Sequence, residues 1–141
     1  MKNEKGFSII ELLIVVAILG LIAAIAVPNF LRARMQANQA SAIQSMRTIV
    51  TAQYLYERRY KAYGTLAALA PEGALDAQLS GGSKSRYNFA IALGPGAKSF
   101  TVTATPLSEP TASNYFFADE SAIIRFNYGA PADITSRPIP E

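Results

Sequence analysis

Residues 5–11 read Lys-Gly-Phe-Ser-Ile-Ile-Glu, and residues 12–27 follow directly as LLIVVAILGLIAAIAV. No charged or strongly polar side chain interrupts the second stretch. Phe7 to Val27 is 21 residues, which as a helix spans roughly 32 Å. The hydrocarbon core of a bilayer is about 30 Å thick. The stretch is therefore read as a transmembrane helix. A buried core helix is the alternative, but a helix apolar on every side needs wrapping on every side, and the rest of a 141-residue chain is too small to supply it. Glu11 then stands at the mouth of the span. An unpaired acid inside a transmembrane helix costs about 2.5–3.5 kcal/mol at the centre and less toward the end. It is tolerated at the membrane surface or it is paired within the bilayer.

Two processing routes fit the residues around this span. In the first, Lys2 and Lys5 are the basic region of a secretory signal and Ala24-Ile25-Ala26 is its small-x-small cleavage site, leaving Val27 first. The apolar stretch is slightly long for that role and Glu11 sits just ahead of it. In the second, residues 1–6 (MKNEKG) are a short leader, the cut falls between Gly6 and Phe7, and the helix stays. Charge does not orient the span, because Lys2 and Lys5 flank one end while Arg32 and Arg34 flank the other.

Toward the C-terminus, Pro28 interrupts the apolar helix, removing one backbone donor and crowding the carbonyl of Ala24. Helix-forming residues without Gly or Pro continue to Tyr60. Ile43, Met46, Val50 and Tyr54 recur at spacings of three and four, one apolar stripe. A helix from Phe7 to Tyr60 would be about 80 Å long, so its first half is expected to project from whatever its second half packs on. After Gly64, Thr65 is placed to cap a short helix, LAALA, closed by Pro71. SGGSKS at 80–85 reads as a loop. The period then switches to two: Tyr87–Leu93, Phe100–Thr105 (ended by Pro106) and Ile124–Tyr128 read as strands, and NYFF at 114–117 reads as another. The tail GAPADITSRPIPE reads as irregular. The expected fold is α+β, a long N-terminal helix packed on a small antiparallel sheet of about four strands. The segments are a leader (1–6), a transmembrane half-helix (7–28), an amphipathic half-helix (29–60) and a globular sheet domain (61–141).

The composition excludes most site chemistry. Without cysteine or histidine there is no disulfide, no thiolate and no imidazole base or metal ligand. The net charge of +3 comes from scattered cations, a solvated surface and not a nucleic-acid footprint. GGSKS lacks the Gly-Lys-Ser/Thr of a phosphate loop. Asp119 and Glu120 are two adjacent acids in a hairpin, whereas calcium takes six to eight oxygens. Phe30 and Tyr54 lie about 36 Å apart along one helix, too far for electron hopping within a chain. No catalytic residue, metal site or cofactor is assigned, and the chain is read as a non-enzyme.

Residues 1–28 resemble the type IV pilins and the related pseudopilins of type II secretion: a basic leader ending in Gly6, aromatic Phe7, Ser8-Ile9-Ile10-Glu11, an apolar run, Gly20 and Pro28. The most usual family text is Gly-Phe-Thr-Leu-Ile-Glu, from which Ser8 and Ile9 depart conservatively. The resemblance implies cleavage between Gly6 and Phe7 and N-methylation of the new Phe7 amine by a prepilin peptidase and methyltransferase. It implies a subunit waiting in the inner membrane, an assembly platform there, and polymerisation with identical subunits into an extracellular pilus or periplasmic pseudopilus. It assigns assembly roles to Glu11, Gly20 and Pro28, with Glu11 facing the amine of a neighbouring subunit or of its own chain. Many pilins clip a C-terminal loop with a disulfide, which this chain lacks the cysteines to form. The alternative function is a monomeric membrane-anchored or secreted binding protein.

Overall fold

The computed structural model describes residues 6–108 and 113–140; Lys2, Lys5 and the rest of the leader before Gly6 lie outside the described residues. The first helix, α1 (Ile9–Tyr60), is unbroken through Gly20 and Pro28. Pro28 thus does not interrupt it. One lost backbone bond leaves the flanking turns intact where Ala, Leu, Arg and Met on both sides favour helix. The chain divides into two compact units, one up to Gln36 and one from Ala37 onward.

In the first unit the helix has no core of its own. Every apolar residue from Phe7 to Leu31 in the described chain is exposed, from Val15 at 45% to Ile9 at 79%.

The second unit is an α+β domain. Its helical part buries Ala42, Ser45, Met46, Ile49, Val50, Ala52 and Gln53. These pack with residues of an antiparallel sheet in which every neighbour in sequence is a neighbour in space. The strands are β1 (Ser83–Lys84), β2 (Tyr87–Leu93), β3 (Phe100–Pro106), β4 (Asn114–Asp119), β5 (Arg125–Tyr128) and β6 (Arg137–Pro138). The four strands read from the sequence are β2 to β5. The additional two are two-residue edges in the segments read as a loop and as an irregular tail, too short to carry a period. Register matches large side chains to small ones: Ala104 lies opposite Phe89 on one side and Phe116 on the other, and Val102 lies between Ile91 and Ala118. All these except the half-buried Ile91 are core residues.

Two short helices join α1 to the sheet. Thr65 caps α2 (Leu66–Leu69), its side chain accepting from the Ala68 amide at 3.3 Å. Pro71 does not close this segment: the chain tightens into a 3-10 turn over Ala70–Glu72, which Gly73 ends in the left-handed region at φ 73°. Asp76 caps α3 (Ala77–Ser80) by accepting from the Leu79 amide at 2.8 Å. Lys84 on β1 forms an ion pair with the same carboxylate. That lysine contact, with the amide bond, holds the Asp76 carboxyl below the usual carboxylate range.

The apolar stripe of α1 is rotated from the one expected. Met46 and Val50 are buried, but Ile43 is only half-buried and Tyr54 is 38% exposed. Gln53 takes the interior position instead and is fully buried. Its side-chain amide donates to the Gly64 carbonyl at 2.6 Å and accepts from the Gly64 N–H at 2.9 Å. One backbone residue therefore satisfies both ends of the amide, which removes the penalty for burying it. Gly64 also needs to be small, because a Cβ there would stand 3.1 Å from Cε1 of Tyr56.

Candidate processing and assembly site

Gly6, Phe7 and Ser8 are non-helical and exposed, with Phe7 at 75%. The Gly6–Phe7 peptide bond thus lies in open chain two residues ahead of the helix. The reason the helix starts where it does is local. Ser8 occupies the N-cap position and Glu11 the third helical position, the serine-x-x-glutamate spacing of a capping box. The Ser8 N–H donates to Glu11 Oε2 at 2.9 Å, and the Ser8 carbonyl accepts from the Leu12 amide at 3.2 Å. One amide that would otherwise lack a partner in an apolar environment is satisfied, and the carboxylate faces the positive end of the helix dipole. The other carboxylate oxygen, Oε1, makes no hydrogen bond among the described residues. Ser8 therefore belongs to the site through its backbone. The sequence carries the signal, a serine three residues ahead of the glutamate.

Gly20 lies in mid-helix, and a Cβ built there would meet nothing within 4 Å. Nothing in its own chain requires a glycine at that position. Pro28 is likewise inside α1 and exposed. The candidate residues form no cluster. Glu11 and Gly20 are about 13 Å apart along the axis, and Gly20 and Pro28 about 12 Å. They are strung along one helix, and of the three only Glu11 has a side-chain hydrogen bond among the described residues.

Elsewhere the polar residues weighed from the sequence serve turns. Asp119 is buried and accepts from the Ser121 amide at 2.9 Å. The Glu120 carbonyl accepts from the Tyr54 hydroxyl. Among the described residues no group of three or more histidine, cysteine, aspartate or glutamate side chains is placed to hold a metal ion.

Residues 1–27 match the protein family described as "Prokaryotic N-terminal methylation motif". The chain carries a prepilin-type N-terminus. It is 38% identical to the type IV major pilin protein PilA of Myxococcus xanthus over 73 residues, half of this chain and 33% of that protein. It is 44% identical to the type IV wide pilus major component PilA4 of Thermus thermophilus over 57 residues, 40% of this chain and 44% of that protein. It is also 32% identical to the type II secretion system core protein G of Vibrio cholerae over 65 residues, 46% of this chain and 44% of that protein. The chain thus spans between a third and a half of the length of these relatives. The similarity covers proteins of both pili and type II secretion.

Proposed function

We propose that this protein is a structural subunit of a type IV pilus or pseudopilus. In this reading it waits in the inner membrane as a single-pass precursor and loses residues 1–6 to a prepilin peptidase. It is N-methylated at Phe7 and is passed by a membrane platform into a filament of identical subunits. The observation that carries the reading is the first unit itself: a helix apolar on all sides, exposed on all sides, headed by Ser8 and Glu11. Such a surface needs lipid before assembly and neighbouring helices after it.

Glu11 sets the axial register between subunits. Cleavage leaves a positive amine on Phe7, and methylation keeps its charge. Glu11 Oε1 is the acceptor for that amine, while Oε2 stays on the Ser8 amide. Breaking a buried ion pair is costly, so the register that pairs the charges is favoured. Gly20 and Pro28 bracket the weakest part of the helix, since Gly lowers helix stability by about 1 kcal/mol and Pro by about 3 relative to Ala. Residues 20–28 stay helical in the isolated subunit and extend in the filament, where protein neighbours surround the freed backbone.

The test is Glu11→Ala, scored by sheared filament yield alongside folding of the residue 61–141 region. Normal folding with filaments lost or sharply reduced is expected. Wild-type yield would mean that apolar packing alone sets assembly.

A further inference from the structure

We infer that Arg32 and Arg34 bind the headgroups of anionic phospholipids, fixing the depth of the apolar helix before it leaves the bilayer. This rests on the reading of residues 9–27 as a membrane span.

Distance is the first argument. Val27 ends the uncharged run, and Ile9 to Val27 as helix covers roughly 28 Å, close to the hydrocarbon thickness. Arg32 and Arg34 follow five and seven residues later, about 7.5 and 10.5 Å further along the axis. The headgroup layer of one leaflet is about 5–7.5 Å deep. Helical side chains lean toward the N-terminus, so both guanidinium groups reach back into that layer. Phe30, 65% exposed, and Leu31, 51% exposed, stand between the span and the cations. An aromatic at that level suits the membrane interface.

Charge is the second argument. Between Glu11 and Glu57 the sequence contains no acidic residue. Glu11 lies about 32 Å from Arg32 along the helix, beyond any pairing. Both arginines are exposed, and the ion pairs among the described residues, Arg59 with Glu72 and Lys84 with Asp76, do not involve them. The span therefore ends in two cations with no carboxylate partner on their own helix, at the depth where lipid phosphate is found. Guanidinium is the side chain best matched to phosphate, through paired N–H donors.

The experiment uses the full chain with Phe30→Trp, which introduces the sole indole because the protein has no tryptophan of its own. The protein is reconstituted in phosphatidylcholine vesicles containing an equal fraction of either brominated phosphatidylglycerol or brominated phosphatidylcholine, and quenching gives the relative association of the two lipids at the indole. A cation near an anionic surface favours binding by about fivefold. A preference for phosphatidylglycerol of about fivefold or more is expected, falling to about one in Arg32→Gln/Arg34→Gln. Equal quenching with both arginines present overturns the inference, as does a preference that survives the double substitution. Inorganic phosphate at matched ionic strength is expected to displace no more phosphatidylglycerol than chloride does; a larger displacement overturns the lipid assignment in favour of free phosphate. Water-like indole emission with no quenching by either lipid defeats the membrane reading itself, a result distinct from insertion without preference.

Discussion

Residues 9–36 and residues 37–60 belong to one helix and meet different surroundings. Leu19 in the first part is 59% exposed, whereas Met46 in the second is fully buried. The second part has a stripe that its own sheet covers. The first is apolar all round from Leu12 to Val27, and among the described residues nothing in its unit covers it. Both parts are helical although Gly20 and Pro28 lie in the first. What differs is where the apolar surface goes: the second part finds cover within its own unit, and the first finds none within its own among the described residues.

The largest effect expected from this contrast is at Met46. Met46→Ala leaves a cavity among Ile49, Phe100 and their neighbours, and should cost about 2–5 kcal/mol in a urea melt of the sheet domain in detergent. Leu19→Ala should leave the same melt within about 0.5 kcal/mol. Equal shifts would mean that the two parts of the helix share one stability. Gln53 sharpens the comparison, since it is a polar residue in the covered part. Gln53→Leu keeps the volume and strands the N–H and C=O of Gly64, so a loss of about 2–4 kcal/mol is expected. An unchanged melt would show that water replaces the amide.

A smaller effect of opposite sign is expected at the β1–β2 turn. Ser85 and Arg86 both adopt positive φ, at 51° and 62°, the conformation in which Asn-Gly is the preferred pair. The Ser85→Asn/Arg86→Gly protein should gain about 1 kcal/mol, read in the same melt. Replacing Ser85 loses its 2.7 Å hydrogen bond to the Ser41 hydroxyl. Replacing Arg86 also loses the bond from its Nε to the Ser108 hydroxyl at 3.2 Å, so a net loss would show that these two contacts together outweigh backbone strain. The smallest effect concerns pH. The Asp76 carboxyl is held below its usual range by Lys84 and the Leu79 amide. A lowered folded-state pKa stabilises the fold above the unfolded value and is lost as pH falls through the folded one. Between about pH 5 and 2 the wild type should therefore lose stability more steeply than Asp76→Asn. Parallel curves would show that the ion pair contributes nothing.

Much of this is legible from local pattern. Strands β2 and β3 show in the alternation because one face of each is buried and the next residue is less so, whereas β4 buries Phe116 to Asp119 in a row and β5 buries none of its four residues. The motif from Gly6 to Glu11 is legible because its residues are consecutive. The two-residue strands Ser83–Lys84 and Arg137–Pro138 and the four-residue helix Ala77–Ser80 leave no such trace, being too short to carry a period. The interior face of α1 departs from the stripe between Ile43 and Tyr54 because a glutamine is buried only when a distant backbone group, here Gly64, completes its bonds. Pro28 is a weaker breaker than its residue type suggests, because one missing bond is a small part of a helix of 52 residues. The Ser8–Glu11 cap shows that Glu11 has a partner in its own chain.

The central claim is that the exposed apolar helix is kept and buried in a filament after the leader is removed. The most direct measurement is the mass and N-terminal sequence of the subunit in sheared filaments. The expected chain begins at Phe7 and carries a methylated amine. A subunit beginning at Met1, or one cut ahead of Val27, would contradict it.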